Sequence, residues 1–280
     1  MRFGVEVVPF GPYADPRAVV ELAVAAEAAG WEGLWIWDHA HFPGGVGDPW
    51  VTLTAVAAAT SRLRLVPGVA PLPRYRPHLL ARTLTSLDLL SGGRVTLGAG
   101  LGVAGDLAPL GDEADGRVRA RMTDEALDLI VRMCAGGPVT HDGAHYRAED
   151  VQIAGEPVQR PRLPVWIGGS SRSALRRAAR WDGWIVGTID EAQRVTKSPE
   201  QLAEELGYLS SVREEIRDTV GDGDAETGFE VAVDGTSPPG GAGLAGEYAE
   251  AGATWWFESL FGLRGSHAEL LDRVAAGPPR

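Results

Sequence analysis

The chain of 280 residues predicts an α/β fold, a (β/α)8 TIM barrel with an insertion after the fourth strand. Three observations predict it. Short apolar runs alternate with helical patterns from end to end. Eight such runs occur, enough for a parallel sheet to close on itself. The first run lacks the GxGxxG turn of a doubly wound dinucleotide fold, which is the rival arrangement of the same units. The length suits one barrel, so residues 1–280 are expected to form a single domain.

Phe3 to Val8 reads as the first strand. Asp15-Pro16 opens a helix, with a capping carboxylate followed by a residue of preset φ, and Gly30 closes it. Gly33 to Trp37 is the second strand. Asp48-Pro49 repeats the opening signal for a helix over Val51 to Ala59. Leu63 to Val66, a helix from Pro77 to Leu90, and Arg94 to Ala99 follow. Leu101 to Gly116 reads as a loop, Arg117 to Ala135 as a long amphipathic helix, and Asp142-Gly143 as the turn of a hairpin. That stretch is the insertion. Strands resume at Pro164 to Ile167, Gly183 to Val186, Phe229 to Val233 and Thr254 to Glu258. Helices at Ser171 to Arg180, Ser198 to about Arg217, Leu244 to Ala251 and His267 to Ala276 separate or follow them, and Gly221 to Asp224 reads as a turn.

Composition narrows the function classes. Hydrophobic residues at 44% and charged residues at 23% fit an ordinary globular protein. A net charge of -12 and no Lys/Arg run argue against a nucleic-acid partner. No stretch is apolar for long enough to span a membrane, and Glu6 interrupts the N-terminal run, so a cytoplasmic protein is expected. The one cysteine, Cys134, reads as a buried, inert thiol.

In this fold, chemistry gathers where strands run into the following loops. The second strand ends Trp37-Asp38-His39, which puts an imidazole and a carboxylate where a proton could be exchanged. A hydrogen-bonded loop histidine is the equal alternative. Zinc is not indicated, because His39 and His41 have no HExxH or Cys/His cluster around them. The third strand runs into Gly68-Val69 and the fourth into Gly98-Ala99-Gly100-Leu101-Gly102, a glycine run that leaves room for a flat ligand. The fifth runs into Gly168-Gly169-Ser170-Ser171, with a helix starting at once. Free N–H groups, hydroxyls and Arg172 favour reading this turn as a phosphate cradle, ahead of the alternative of a plain Ser N-cap with a glycine turn. Of the nine tryptophans most belong to the core, with one or two at strand ends able to wall a ring. Glu258 could be a site carboxylate or a solvated one, and Arg74, Arg76 and Arg82 default to the surface.

These strand ends resemble a known family. Gly30-Trp31-Glu32-Gly33-Leu34-Trp35-Ile36-Trp37-Asp38-His39 is similar to the opening of the luciferase-like flavin- and F420-dependent oxidoreductases. So are Leu63 to Val69 with Tyr75-Arg76-Pro77, Ser91-Gly92-Gly93-Arg94 to Gly100, and Leu163 to Ser170 with Asp182-Gly183-Trp184-Ile185. The resemblance covers about residues 1 to 190.

It implies coenzyme F420 at the barrel mouth, with FMN as the alternative. It implies catalytic roles for His39 and Asp38, and a cis peptide at Gly68-Val69 under the ring. Cofactor contacts would come from Gly68, Val69, Gly98, Gly100, Gly168, Gly169, Ser170 and Ser171. Departures occur at Gly102-Val103, where the family often has Gly-Trp, and in a short stretch between strands six and seven. The reaction implied is hydride transfer between the ring and a small organic substrate. The alternatives are an FMN monooxygenase using dioxygen, a non-catalytic barrel for a phosphate-bearing ligand, and a metal hydrolase. Barrels of this family often pair, so a homodimer is also an expectation.

Overall fold

The computed structural model describes residues 1–41, 44–190, 192–220, 228–262 and 264–279. The expected turn at Gly221 to Asp224 lies outside the described residues. β1 (Arg2–Val7) is central in the sheet and pairs in parallel with β2 (Gly33–Ile36). Between them lies α1 (Pro16–Ala28), whose first turn is held by the Asp15 side chain accepting from the Arg17 amide. α2 (Pro49–Ala59) starts the same way, with Asp48 accepting from Val51. Pro at the first helical position removes an amide that would have no partner there.

The third strand departs from the sequence reading. It runs as β3 (Arg64–Pro67), breaks at a cis Gly68–Val69 peptide, and resumes as β4 (Ala70–Pro71). β3 pairs with β2, while β4 pairs with β5 (Leu97–Gly100) beyond α3 (Pro77–Ser91). A single bridge between Leu65 and Val95 links the third and fourth strands below the break. The insertion holds α4 (Ala104–Leu107), α5 (Gly116–Cys134) and an antiparallel hairpin of β6 (Val139–Asp142) and β7 (Arg147–Val151). α4 replaces part of the expected loop. Its amides at Asp106 and Leu107 close onto the Val103 carbonyl, and Leu107 is fully buried. β7 begins only at Arg147, past the expected Asp142-Gly143 turn, because Glu125 on α5 accepts the amides of His145 and Tyr146 and draws them into the turn.

β8 (Val165–Gly168), α6 (Arg172–Ala178), β9 (Gly183–Val186), α7 (Pro199–Val220), β10 (Glu230–Gly235), α8 (Gly243–Glu250), β11 (Trp255–Ser259) and α9 (His267–Ala275) complete the pattern. β11 pairs with β1, so the sheet runs β3-β2-β1-β11-β10-β9-β8-β5-β4 and closes into the TIM barrel. Alternation along each strand sends one set of side chains to the helices and the other into the barrel. Outward residues such as Val5, Val7, Leu34 and Ile36 join the main core with the helices. The barrel interior is a separate aromatic plug of Trp35, Val66, Trp166, Ile185, Ala232, Trp255 and Phe257. Small residues admit these rings: a Cβ on Gly33 would lie 2.9 Å from the Trp255 ring. Among the described residues no helix is long and apolar enough to cross a membrane.

Candidate active site at the barrel mouth

Above the aromatic plug, the inward positions of one half of the barrel are glycines. They are Gly68, Gly100, Gly168 and, by alternation, Gly187. A Cβ on Gly68 would fall on the Trp35 indole, whose N–H donates to the Gly68 carbonyl. A Cβ on Gly100 or Gly168 would lie 2.6 Å or 2.7 Å from the methyl groups of Val69. Val69 therefore reaches inward from the strand break and occupies the space those glycines leave. Above it lies a cavity of about 370 Å³, lined by Trp35, Trp37, His39, Gly68, Val69, Val103, Gly168, Gly169 and Asp234 among others. Apolar walls with a few converging polar groups are the usual make-up of a small-molecule site.

The sequence-derived candidates separate here. Gly68, Val69, Gly168 and Gly169 line the cavity, as do Asp38 and His39. Gly98 and Gly100 are not among its walls. Gly98 lies lower, where a Cβ would meet the Pro67 carbonyl, so its smallness lets the broken third strand pack against the fourth. Ser170 and Ser171 are exposed at the turn. Ser171 caps α6 through the Ala174 amide at 3.1 Å, and Gly169, at φ +108, needs the freedom of glycine.

His39 is half-buried, with Nδ1 3.4 Å from Asp106 Oδ2 and its ring 5.3 Å from the Trp37 ring. Asp106 also accepts the amides of Ala40 at 2.8 Å and His41 at 2.7 Å. One buried carboxylate thus fixes the backbone and imidazole of the second strand's loop. Asp38 is fully enclosed. It accepts from Tyr75 Oη at 2.6 Å and pairs with Arg74, and Trp50 donates to the Tyr75 oxygen at 2.9 Å. Burial pushes the Asp38 carboxyl up, while Arg74 and Tyr75 pull it back. Arg74, expected at the surface, is half-buried in this pair: its guanidinium lies over the Tyr75 ring and follows the carboxylate inward. Glu258 resolves as structural. It points outward from β11 and is held by Ser237, Trp256, Arg264 and Arg273.

Two further carboxyls were not singled out as site residues by the sequence reading. Glu6 on β1 and Asp234 on β10 are buried at the floor of a second chamber of about 520 Å³, which shares Trp37 and Asp234 with the first. Trp37 Nε1 donates to Glu6 Oε1, the Ser259 hydroxyl interacts with the same carboxyl, and among the described residues Glu6 Oε2 is buried with no hydrogen-bond partner within 3.5 Å. Asp234 accepts the Thr188 amide. Burial raises both, to about 6 for Asp234, and the nearby Asp234 charge pushes Glu6 up further. Like charges in one desolvated site favour sharing a proton. The available signal was Glu6 itself, an acid at an inward position of an apolar strand. Asp234 fell one residue past the end assigned to its strand. Among the described residues no group of three His, Cys, Asp or Glu side chains is arranged to hold a metal ion.

The chain is similar to known proteins in sequence and in fold. Over 183 residues the chain is 38% identical to an F420-dependent glucose-6-phosphate dehydrogenase from Beutenbergia cavernae, covering 61% of this chain and 52% of that one. It thus spans about half the length of the curated relatives it matches. In fold it is similar to a coenzyme F420-dependent tetrahydromethanopterin reductase from Methanopyrus kandleri, with a TM-score of 0.76 at 17% identity over 98% of this chain and 96% of that one. An F420-dependent secondary alcohol dehydrogenase, in complex with an F420-acetone adduct, superposes with a TM-score of 0.74 at 18% identity over 92% of each chain. The luciferase-like monooxygenase family model matches residues 1–209, three-quarters of the barrel sequence including every strand end described above as far as β9, and the chain belongs to that family.

Proposed function

We propose that the chain is an oxidoreductase that passes hydride between the deazaflavin ring of coenzyme F420 and a small organic substrate at the barrel mouth. The observation that carries this reading is the half-ring of inward glycines under Val69. A Cβ at Gly100 or Gly168 would come within 2.7 Å of Val69, so these glycines seat Val69 in the barrel mouth, where it forms a shelf on which a flat ring can lie. Its neighbours suit a ring that accepts and donates hydride: the Trp37 and His39 rings, and the buried carboxyls Glu6 and Asp234 in the adjoining chamber. The names of the relatives and neighbours favour F420 over FMN.

The cofactor supplies the hydride chemistry when bound, and the protein supplies position and proton control. Gly68, Val69, Gly168 and Gly169 would hold the ring, and the turn through Ser170 and Ser171 would face its phosphate. His39, steadied by Asp106, is assigned to proton exchange with a substrate oxygen or a ring nitrogen. Asp38 is a positioning residue, because its carboxylate is taken up by Arg74 and Tyr75. Glu6 and Asp234 hold a proton at the floor, next to where the product must be protonated or the substrate deprotonated.

Fluorescence titration with F420 and FMN, each oxidised and reduced, tests the reading. Tight F420 binding with weak FMN binding is the expected outcome. Tight FMN binding with weak F420 binding would shift the chain to oxygen-dependent monooxygenase chemistry. Absence of binding by either would remove the oxidoreductase reading.

A further inference from the structure

The larger chamber at the mouth is acidic. Its described walls carry Glu6, Asp190 and Asp234 against a single cation, Arg194. Arg194 sits at the rim with its side chain 79% exposed, and Asp190 holds its guanidinium across 2.7 Å. The adjoining chamber adds Asp38 and Asp106, and among its described walls it adds no lysine or arginine. Apart from Arg194, His39 is the one basic side chain lining either chamber among the described residues.

An anionic substrate entering here would face the Glu6–Asp234 pair with no inward cation to offset it. Coulomb repulsion from these buried acids in a partly desolvated site outweighs the hydrogen bonds that a phosphate could draw from a protonated carboxyl. The needs of the pair run the other way. Among the described residues Glu6 Oε2 is buried with no hydrogen-bond partner within 3.5 Å, the Ser259 hydroxyl adds only a weak interaction with the carboxyl, and an under-satisfied buried acceptor is costly. The flanks are aromatic: Trp37 and Phe261 stand 6.5 Å apart between ring centres at 46°, with Ile189 beside them. Aromatic faces receive flat rings and attract cations.

We propose that this chamber is the substrate subsite, that it takes a flat, nitrogen-bearing substrate, neutral or cationic, whose N–H donates to Glu6 Oε2, and that it rejects phosphorylated and carboxylated substrates. The word substrate rests on the hydride-transfer reading; the charge selection rests on Glu6 and Asp234 themselves. The glucose-6-phosphate dehydrogenases that the chain resembles are named for a phosphorylated sugar. On this proposal the chain does not share that substrate.

Isothermal titration of the full chain at neutral pH with four probes tests it: benzamidine, benzoate, phenyl phosphate and glucose 6-phosphate. Benzamidine is flat, cationic and rich in N–H donors, and it should bind at least about 10-fold more tightly than each of the three anions. The double variant Glu6→Gln/Asp234→Asn, which removes both floor carboxyls, should bring the benzamidine-to-benzoate ratio close to one, with circular dichroism checking that the variant folds. Benzoate, phenyl phosphate or glucose 6-phosphate binding as well as benzamidine would overturn the proposal, as would no benzamidine binding. So would an unchanged ratio in a folded Glu6→Gln/Asp234→Asn protein. The wild-type series decides without the variant. The F420 titration is independent: its failure with charge selection intact would sink the hydride-transfer reading alone, and the converse would sink the subsite alone.

Discussion

Asp106→Asn is the substitution that best separates architecture from accident at the mouth. The carboxylate accepts three contacts: Ala40 N–H at 2.8 Å, His41 N–H at 2.7 Å and His39 Nδ1 at 3.4 Å. Asparagine has the same shape but one acceptor oxygen. Either orientation turns its amide NH2 toward a backbone N–H, so one charge-assisted bond becomes a donor facing a donor. A bond to a charged group contributes roughly 1.5–3 kcal/mol. Unfolding entropy of about 2.1 cal/mol/K per residue gives roughly 0.6 kcal/mol/K for a chain of this length. The variant should therefore melt about 3–5 °C lower. Amide exchange at residues 40 and 41 should speed up by roughly 10- to 150-fold, since 1.4 kcal/mol is a factor of ten. Thermal denaturation and hydrogen exchange measure both quantities without any substrate. An unchanged melting temperature with unchanged exchange at Ala40 and His41 would refute the claim that this carboxylate organises the His39 loop.

Three further outcomes are expected. Burial holds the Asp234 carboxyl up at about 6 from 3.8, so the native state keeps a proton that the unfolded chain releases. Its stabilising contribution is full at acid pH and is lost as pH rises through about 6, so the melting temperature of wild type relative to Asp234→Asn should fall between pH 4 and 7; a rise would contradict it. Gly168→Ala puts a Cβ 2.7 Å from Val69 Cγ1, and Val69 is β-branched with few rotamers to retreat into. We expect a loss of about 1–3 kcal/mol from overpacking and weaker cofactor binding in the fluorescence titration, against wild-type affinity if the shelf is not used. Cys134 is buried with its thiol pushed up to about 11, held between Thr85 and the Ala81 carbonyl. It should react with a disulfide reagent only after denaturation, and rapid labelling of native protein would refute its burial.

The barrel was legible because each of its units carries local signals. Asp15-Pro16 and Asp48-Pro49 satisfy orphan amides within a few residues, and those caps form as read. Apolar runs such as Gly183 to Val186 are strands whatever their neighbours are. What was not legible depends on partners far along the chain. β7 starts late because Glu125, twenty residues upstream of His145, takes two amides of the turn. The third strand reads as one run, yet it is shared between two neighbours, β2 before the break and β5 after it. No window of sequence contains that choice.

The site follows the same division. Glycines at strand ends can be seen from sequence, but their uses differ: Gly168 faces the cavity while Gly98 faces the Pro67 carbonyl. The difference lies in height along the strand: register pairs Gly98 with the inward Trp166 and leaves Gly168 two residues higher on the same face, so sequence parity alone does not separate them. Assigning the seventh strand to Val233 instead of Gly235 left Asp234 in a loop, when register puts it beside Phe257 on β11. Glu6 was visible as a charge in an apolar strand, but its meaning required the barrel to close. Only closure brings β1 and β10 to either side of β11, and so brings a first-strand acid and a seventh-strand acid to one floor. A carboxyl buried by its own strand would be a defect of one position. With both buried by closure, the Asp234 charge raises the proton affinity of Glu6 beyond what its own burial does, so the floor of the mouth is a property of the fold that Glu6 does not have alone.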